Sequence, residues 1–203
     1  MKFSTGYFRR AKFLARTGVG VKTIATNMPD KGDIQKLTAL GYPEKHVLDA
    51  VCGWLELSCP QEARAEFQSL SAAFREHPEA LQLHWQLDVA EKNWRSALKI
   101  AAQILQLAPD QPAGWIDRSY ALHELGETHE AMAKLVPAYE MFPNEAVIPY
   151  NLACYCCQLK DIATAKTWFE RAVRRGDKRA LLKMALSDFD LEPLWAELES
   201  MKP

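Results

Sequence analysis

No uninterrupted apolar run in the 203-residue sequence approaches the roughly 20 residues that a membrane-spanning helix needs. The best candidate, residues 146–157, is about half that length and contains Pro149 and Asn151, so no membrane span is expected. No secretory signal is expected either, because Phe13-Leu14-Ala15 runs straight into Arg16, Thr17 and Gly18 and forms no apolar signal core. Charge of one sign is also scarce. The formal net charge is −1, which argues against a whole-molecule polycation, and no nucleic-acid partner is expected. There is no disulfide framework either. Five cysteines is an odd number, and Cys154, Cys156 and Cys157 crowd into four positions, which favours a reducing compartment. A cytoplasmic location is the expectation.

What is present is the composition of a globular protein, 48% apolar and 25% charged, in a chain long enough to bury a core. The charge is unevenly spread. Residues 1–30 carry Lys2, Arg9, Arg10, Lys12, Arg16 and Lys22 against Asp30 alone, which leaves the remainder acidic. This stretch also holds Phe3, Tyr7, Phe8, Phe13 and Leu14, interrupted by Gly18 and Gly20. It reads as a helix and loop packed beside the main fold, as a flexible basic arm, or as an organelle transit peptide. Residues 31–43 read as a short helix, Asp33 to Leu40, stopped by Gly41 and linked onward through Tyr42-Pro43.

Signatures of catalysis are weak. Gly18-Val-Gly20-Val-Lys22-Thr23 suggests a phosphate loop, but Val21 separates the glycine from the lysine and no buried strand precedes it. His123-Glu124 and His129-Glu130 are six apart across a turn at Gly126, whereas a zinc-protease helix needs its histidines four apart. Cys154 and Cys157 share a helical face, with His123 the one plausible recruit for a metal, and no second cysteine pair lies nearby. Small apolar packing is the reading of these cysteines. The expectation is a protein that is not an enzyme, with no catalytic residues, no cofactor and no metal.

The informative feature is a period. Ala63, Ala97, Ala131 and Ala165 are each 34 residues apart, and so are Pro109 and Pro143. Four units follow: 44–77, 78–111, 112–145 and 146–179. Each reads as two antiparallel helices of about 12–14 residues joined by a short turn such as Gly126-Glu127 or Lys160-Asp161. Alanine stands where the two helices come closest, and proline ends the second helix. One hairpin cannot cover its own apolar face, so stacked neighbours build the core. Residues 180–203 then read as capping helices: Ala180 to Leu186, a turn at Ser187-Asp188-Phe189-Asp190 with N-cap chemistry, and a last helix from Leu191.

The third unit places Trp115, Ser119, Leu122, Ala131, Leu135, Ala138 and Pro143 in a pattern that resembles the tetratricopeptide repeat. The fourth supplies Leu152, Ala153, Cys156, Ala165, Phe169 and Ala172, with Asp177 where proline is expected. The first supplies Val47, Ala50, Trp54, Ala63, Phe67 and Leu70. The second is the loosest, with His84, Trp85 and Asp88 at its first-helix positions beside Ala97, Ala101, Ile104 and Pro109. The resemblance covers about two-thirds of the chain, four units in one phase. It implies an all-α fold, a right-handed superhelical solenoid of antiparallel helix hairpins. The closing Asp-x-Asp-Leu-x-x-Leu-Trp is similar to that of bacterial members, which makes a bacterial cytoplasm the expected setting.

The resemblance also implies a use. First helices of such arrays line a concave groove that binds other proteins, and the matching positions here include Gln82, Gln86, Ile116, Tyr120, His123, Tyr150, Cys154 and Gln158. The lining is neutral, with Tyr120 and Tyr150 its large aromatics, and suits an extended or helical segment. Chaperone adaptors of the family clamp a C-terminal carboxylate with basic and amide side chains. Of the matching residues only Asn151 fits, while Leu48, Cys52, Leu83 and Asp117 do not, so no such tail is expected to bind. The implied function is a non-catalytic scaffold or adaptor holding a peptide or helix of another protein. The alternative is a dedicated chaperone for a secreted protein, with the N-terminal part mediating a homodimer.

Overall fold

The computed structural model describes residues 42–201, so the readings made for residues 1–41, including the Gly18–Thr23 loop, lie outside the described part. The chain divides after Leu107 into two compact units. In residues 42–107 the elements are α1 (Tyr42–Glu56), α2 (Pro60–Gln68), the single turn α3 (Ala72–Arg75), α4 (Pro78–Ala90) and α5 (Trp94–Leu107). In residues 108–201 they are α6 (Pro112–Glu124), α7 (Thr128–Met141), α8 (Val147–Gln158), α9 (Ile162–Arg175), α10 (Lys178–Ala185), a 3-10 helix (Phe189–Leu194) and α11 (Trp195–Ser200). The described residues are all-α.

Successive helices pack as hairpins: α1 with α2, α4 with α5, α6 with α7 and α8 with α9. The 34-residue alanines explain the geometry. Ala63, Ala97, Ala131 and Ala165 are each completely buried. Each donates its amide to the residue that opens its helix, Cys59, Asn93, Glu127 and Asp161 respectively. They therefore sit in the first turn of the second helix, where any longer side chain would wedge the pair apart.

The turns repeat with the same period, in a way that composition conceals. Ser58, Lys92, Gly126 and Lys160 are spaced by 34 residues, and all four have positive φ, from 59° to 84°. In each, this left-handed residue donates to the carbonyl three back (Gly126 to His123, 2.9 Å). The next residue donates to the carbonyl five back (Glu127 to Leu122, 2.9 Å; Asn93 to Asp88, 2.7 Å), which closes a Schellman cap. A side chain in the left-handed region costs about 1–2 kcal/mol, part of which glycine's greater freedom in the unfolded chain offsets. Lys92→Gly and Lys160→Gly should therefore each raise stability by about 0.5–1 kcal/mol in urea unfolding. Gly126→Ala should lower it by about 1 kcal/mol, purely through conformation, because a Cβ there would meet nothing within 4 Å. A loss of stability on Lys92→Gly would contradict the assigned turn.

Two local features depart from a uniform repeat. The second helix of the first hairpin is only nine residues long rather than 12–14. The chain bends at Ser69 to Ser71, and Arg75 takes up the freed carbonyls of Gln68 and Leu70 at 3.0 and 2.9 Å. In α8 the residues from Val147 through Cys157 are all buried. This helix is covered by α9, α7, α6 and the 3-10 helix, so it has no solvent face over that span. Its apolar composition and its three small cysteines follow from that position.

Candidate functional site

The sequence-predicted groove residues fall into two groups. On α4, Gln82 and Gln86 are half-buried, while Ala80, Leu81, Leu83, Trp85, Leu87, Asp88 and Val89 around them are buried. With half-buried His84 and Ala90 and exposed Glu79, Gln82 and Gln86 belong to the part of this helix that reaches solvent. In residues 108–201 the exposure is different. Ile116 and Tyr120 on α6 and Tyr150 and Cys154 on α8 are buried, Tyr120 to 2% and Tyr150 to 0% exposure. His123 is half-buried and Gln158 is exposed.

Four of the eight converge on one turn that the sequence reading did not connect with them. The Tyr150 hydroxyl donates to Asp188 Oδ2 at 2.9 Å, and the Cys154 thiol lies 3.9 Å from the same oxygen. The Gln158 amide donates to the backbone oxygen of Asp190 at 3.3 Å, and His123 Nε2 is 3.5 Å from Asp190 Oδ2. Asp188 is 1% exposed and opens the 3-10 helix, its Oδ1 accepting the Asp190 amide at 3.2 Å. Leu191, Leu194 and Leu198 anchor this C-terminal segment in the core. The signal was available: Asp188 follows Cys154 by one more 34-residue step.

Other polar contacts hold the helices in place. Ser119 Oγ and the Tyr155 hydroxyl, both buried, are 3.1 Å apart and join α6 to α8, and Arg175 donates to the carbonyls of Tyr139 and Phe142. The loose second unit has its own device. Arg64 on α2 is 2.6 Å from Asp88 and 2.7 Å from Glu91, while His84 lies 3.8 Å from Asp88. Burial lowers the His84 imidazole, opposed by the Asp88 charge and reinforced by Arg64 and Arg75. Asp88 thus stands where the repeat wants an apolar residue because Arg64 pairs with it.

Cys156 and Cys157 lack the character of nucleophiles. Burial pushes Cys157 up to about 12, helped by Cys156, Asp190 and Asp188, and pushes Cys156 up to about 11, helped by Asp161. Among the described residues, one group of side chains could share a metal ion: Cys154, Asp188 and Asp190. No helix among them is long and apolar enough to cross a membrane.

These features define an all-α protein of packed helical hairpins with a tetratricopeptide-like fold. No protein-family model and no curated protein matches the sequence. Among solved structures, the crystal structure of MamA is similar, with a TM-score of 0.58 at 12% identity, covering 89% of this chain and 99% of that chain. At that identity the likeness speaks for the fold.

Proposed function

We propose that this chain is a four-repeat, right-handed superhelical array of tetratricopeptide type that works as a cytoplasmic, non-catalytic scaffold. Its partner is a peptide or helical segment of another protein, held along the first helices of the hairpins. The observation that carries this reading is the placement of Gln82 and Gln86. They are half-buried and uncharged, about one turn apart, on a first helix where Leu83, Trp85 and Leu87 are buried. Half-buried uncharged side chains beside apolar surface suit contact with a bound segment. Half-buried His123 and exposed Gln158 extend the same role to the third and fourth hairpins. Tyr120, Tyr150, Ile116 and Cys154, expected from the sequence to line the groove, are buried and offer a partner no surface.

The test is charge insertion at the two amides. Gln82→Arg with Gln86→Arg should weaken partner capture tenfold or more, about 1.4 kcal/mol, while helicity and melting temperature stay unchanged. The same substitution at Gln103 on α5, an exposed second-helix position, should leave capture intact. If the α4 pair is neutral and Gln103→Arg abolishes capture, the partner uses the second-helix face and this reading fails.

A further inference from the structure

We propose that Cys154, Asp188 and Asp190, with His123 at their edge, form a site for one divalent transition-metal ion, zinc or a close analogue. Each of the first three offers a ligand atom, and these atoms lie within 4.8 Å of one another. Three separate parts of the chain supply the four side chains. Cys154 comes from α8, the two aspartates from the turn that opens the 3-10 helix, and His123 from the end of α6. The group is therefore a product of the tertiary fold, not an acid-rich loop.

The spacing fits. With metal bonds of about 2.0–2.3 Å, tetrahedral ligand atoms stand roughly 3.3–3.8 Å apart. Cys154 Sγ and Asp188 Oδ2 are 3.9 Å apart, and His123 Nε2 and Asp190 Oδ2 are 3.5 Å apart. Small rotations of the aspartate and histidine side chains would draw the remaining separations in around an ion. The donor set is one sulfur, one imidazole nitrogen and two carboxylates, which selects zinc or cobalt over magnesium or calcium.

The surroundings match those of metal ligands, whose orientation depends on an outer layer of hydrogen bonds. His123 Nδ1 is 3.0 Å from Thr128 Oγ1, which leaves Nε2 directed at Asp190. Asp188 is held by the Tyr150 hydroxyl and the Asp190 amide, and Asp190 by the Gln158 amide on its carbonyl. Two neighbouring carboxylates and a thiolate favour a dication. Ion approach is open at the rim, where the side chains of His123 and Asp190 retain 10% and 13% exposure. A bound ion would tie the ends of α6 and α8 to the C-terminal segment.

The test titrates the chelator-treated full chain with cobalt(II), followed by zinc. The expected result is one equivalent bound, with a sulfur-to-cobalt charge-transfer band and the intense visible bands of tetrahedral cobalt, both erased by zinc. The melting temperature should rise with either metal. Cys154→Ser should abolish the charge-transfer band, and His123→Gln should weaken zinc binding tenfold or more. Asp190→Asn, at the rim, provides a second ligand variant if Cys154→Ser does not fold, and should also weaken zinc tenfold or more. Absence of the band in the parent protein would overturn the proposal. So would a band that survives in Cys154→Ser, or zinc affinity unchanged in both His123→Gln and Asp190→Asn.

Discussion

Replacing Arg64 with alanine is expected to destabilise the protein by about 3–5 kcal/mol, the cost typical of leaving one member of a buried ion pair alone. Asp88 is 1% exposed, and its remaining neighbour, His84, stands 3.8 Å away with a lowered imidazole. The alanine variant therefore strands a carboxylate inside residues 42–107. Urea unfolding at neutral pH would show the loss. The compensated variant Arg64→Met with Asp88→Leu should recover most of it, since an apolar pair of similar volume often replaces a buried ion pair without penalty. A single-variant loss below about 1 kcal/mol would mean the pair behaves as a surface contact. The parent protein carries a pH signature of the same cluster. Because the folded His84 binds its proton less readily than the ordinary 6.5, the stability it contributes is complete above that pH. It is lost as pH falls through 6.5 towards the lower folded value.

Asp188→Ala, measured with chelator present to separate packing from any metal, is expected to cost about 2–4 kcal/mol. It removes the acceptor of the buried Tyr150 hydroxyl and the cap of the 3-10 helix together. The effect should centre on residues 108–201. Amide exchange would show α8, α10 and the 3-10 helix losing protection, while α4 and α5 keep theirs. Adding Tyr150→Phe should cost less in the Asp188→Ala background than in the parent, because the bond between the two side chains is already lost. An unchanged exchange pattern around α8 would show that Asp188 carries no such role.

Both predictions concern residues whose importance the sequence did not announce, and the reasons are physical. Alanine spacing and proline stops are local constraints repeated in every hairpin, so they surface as a period that one chain is enough to reveal. Pro78 and Pro112 open α4 and α6 for the same reason. Asp88 read as a misfit because its justification, Arg64, lies 24 residues away on another helix. The left-handed turns at Ser58, Lys92 and Lys160 were invisible, since only Gly126 carries the residue type that betrays that conformation. Tyr120 and Tyr150 matched groove positions by register, yet register says nothing about what lies over a position. Tyr150 is covered in part by Asp188, and Asp188 was read as a cap without its reach back to α8. The shortened α2 likewise depends on the side chain of Arg75 replacing helical bonds.

The proposed binding face is tested most directly by photo-cross-linking in the cell that makes this protein. A photoreactive residue is placed singly at Gln82, Gln86 or Gln158 on first helices, and at Gln103, Lys134 or Arg174 on exposed second-helix positions. The account predicts that the same partner protein is trapped from the first-helix positions and not from the second-helix ones. Trapping of that partner only from Gln103, Lys134 or Arg174 would contradict it.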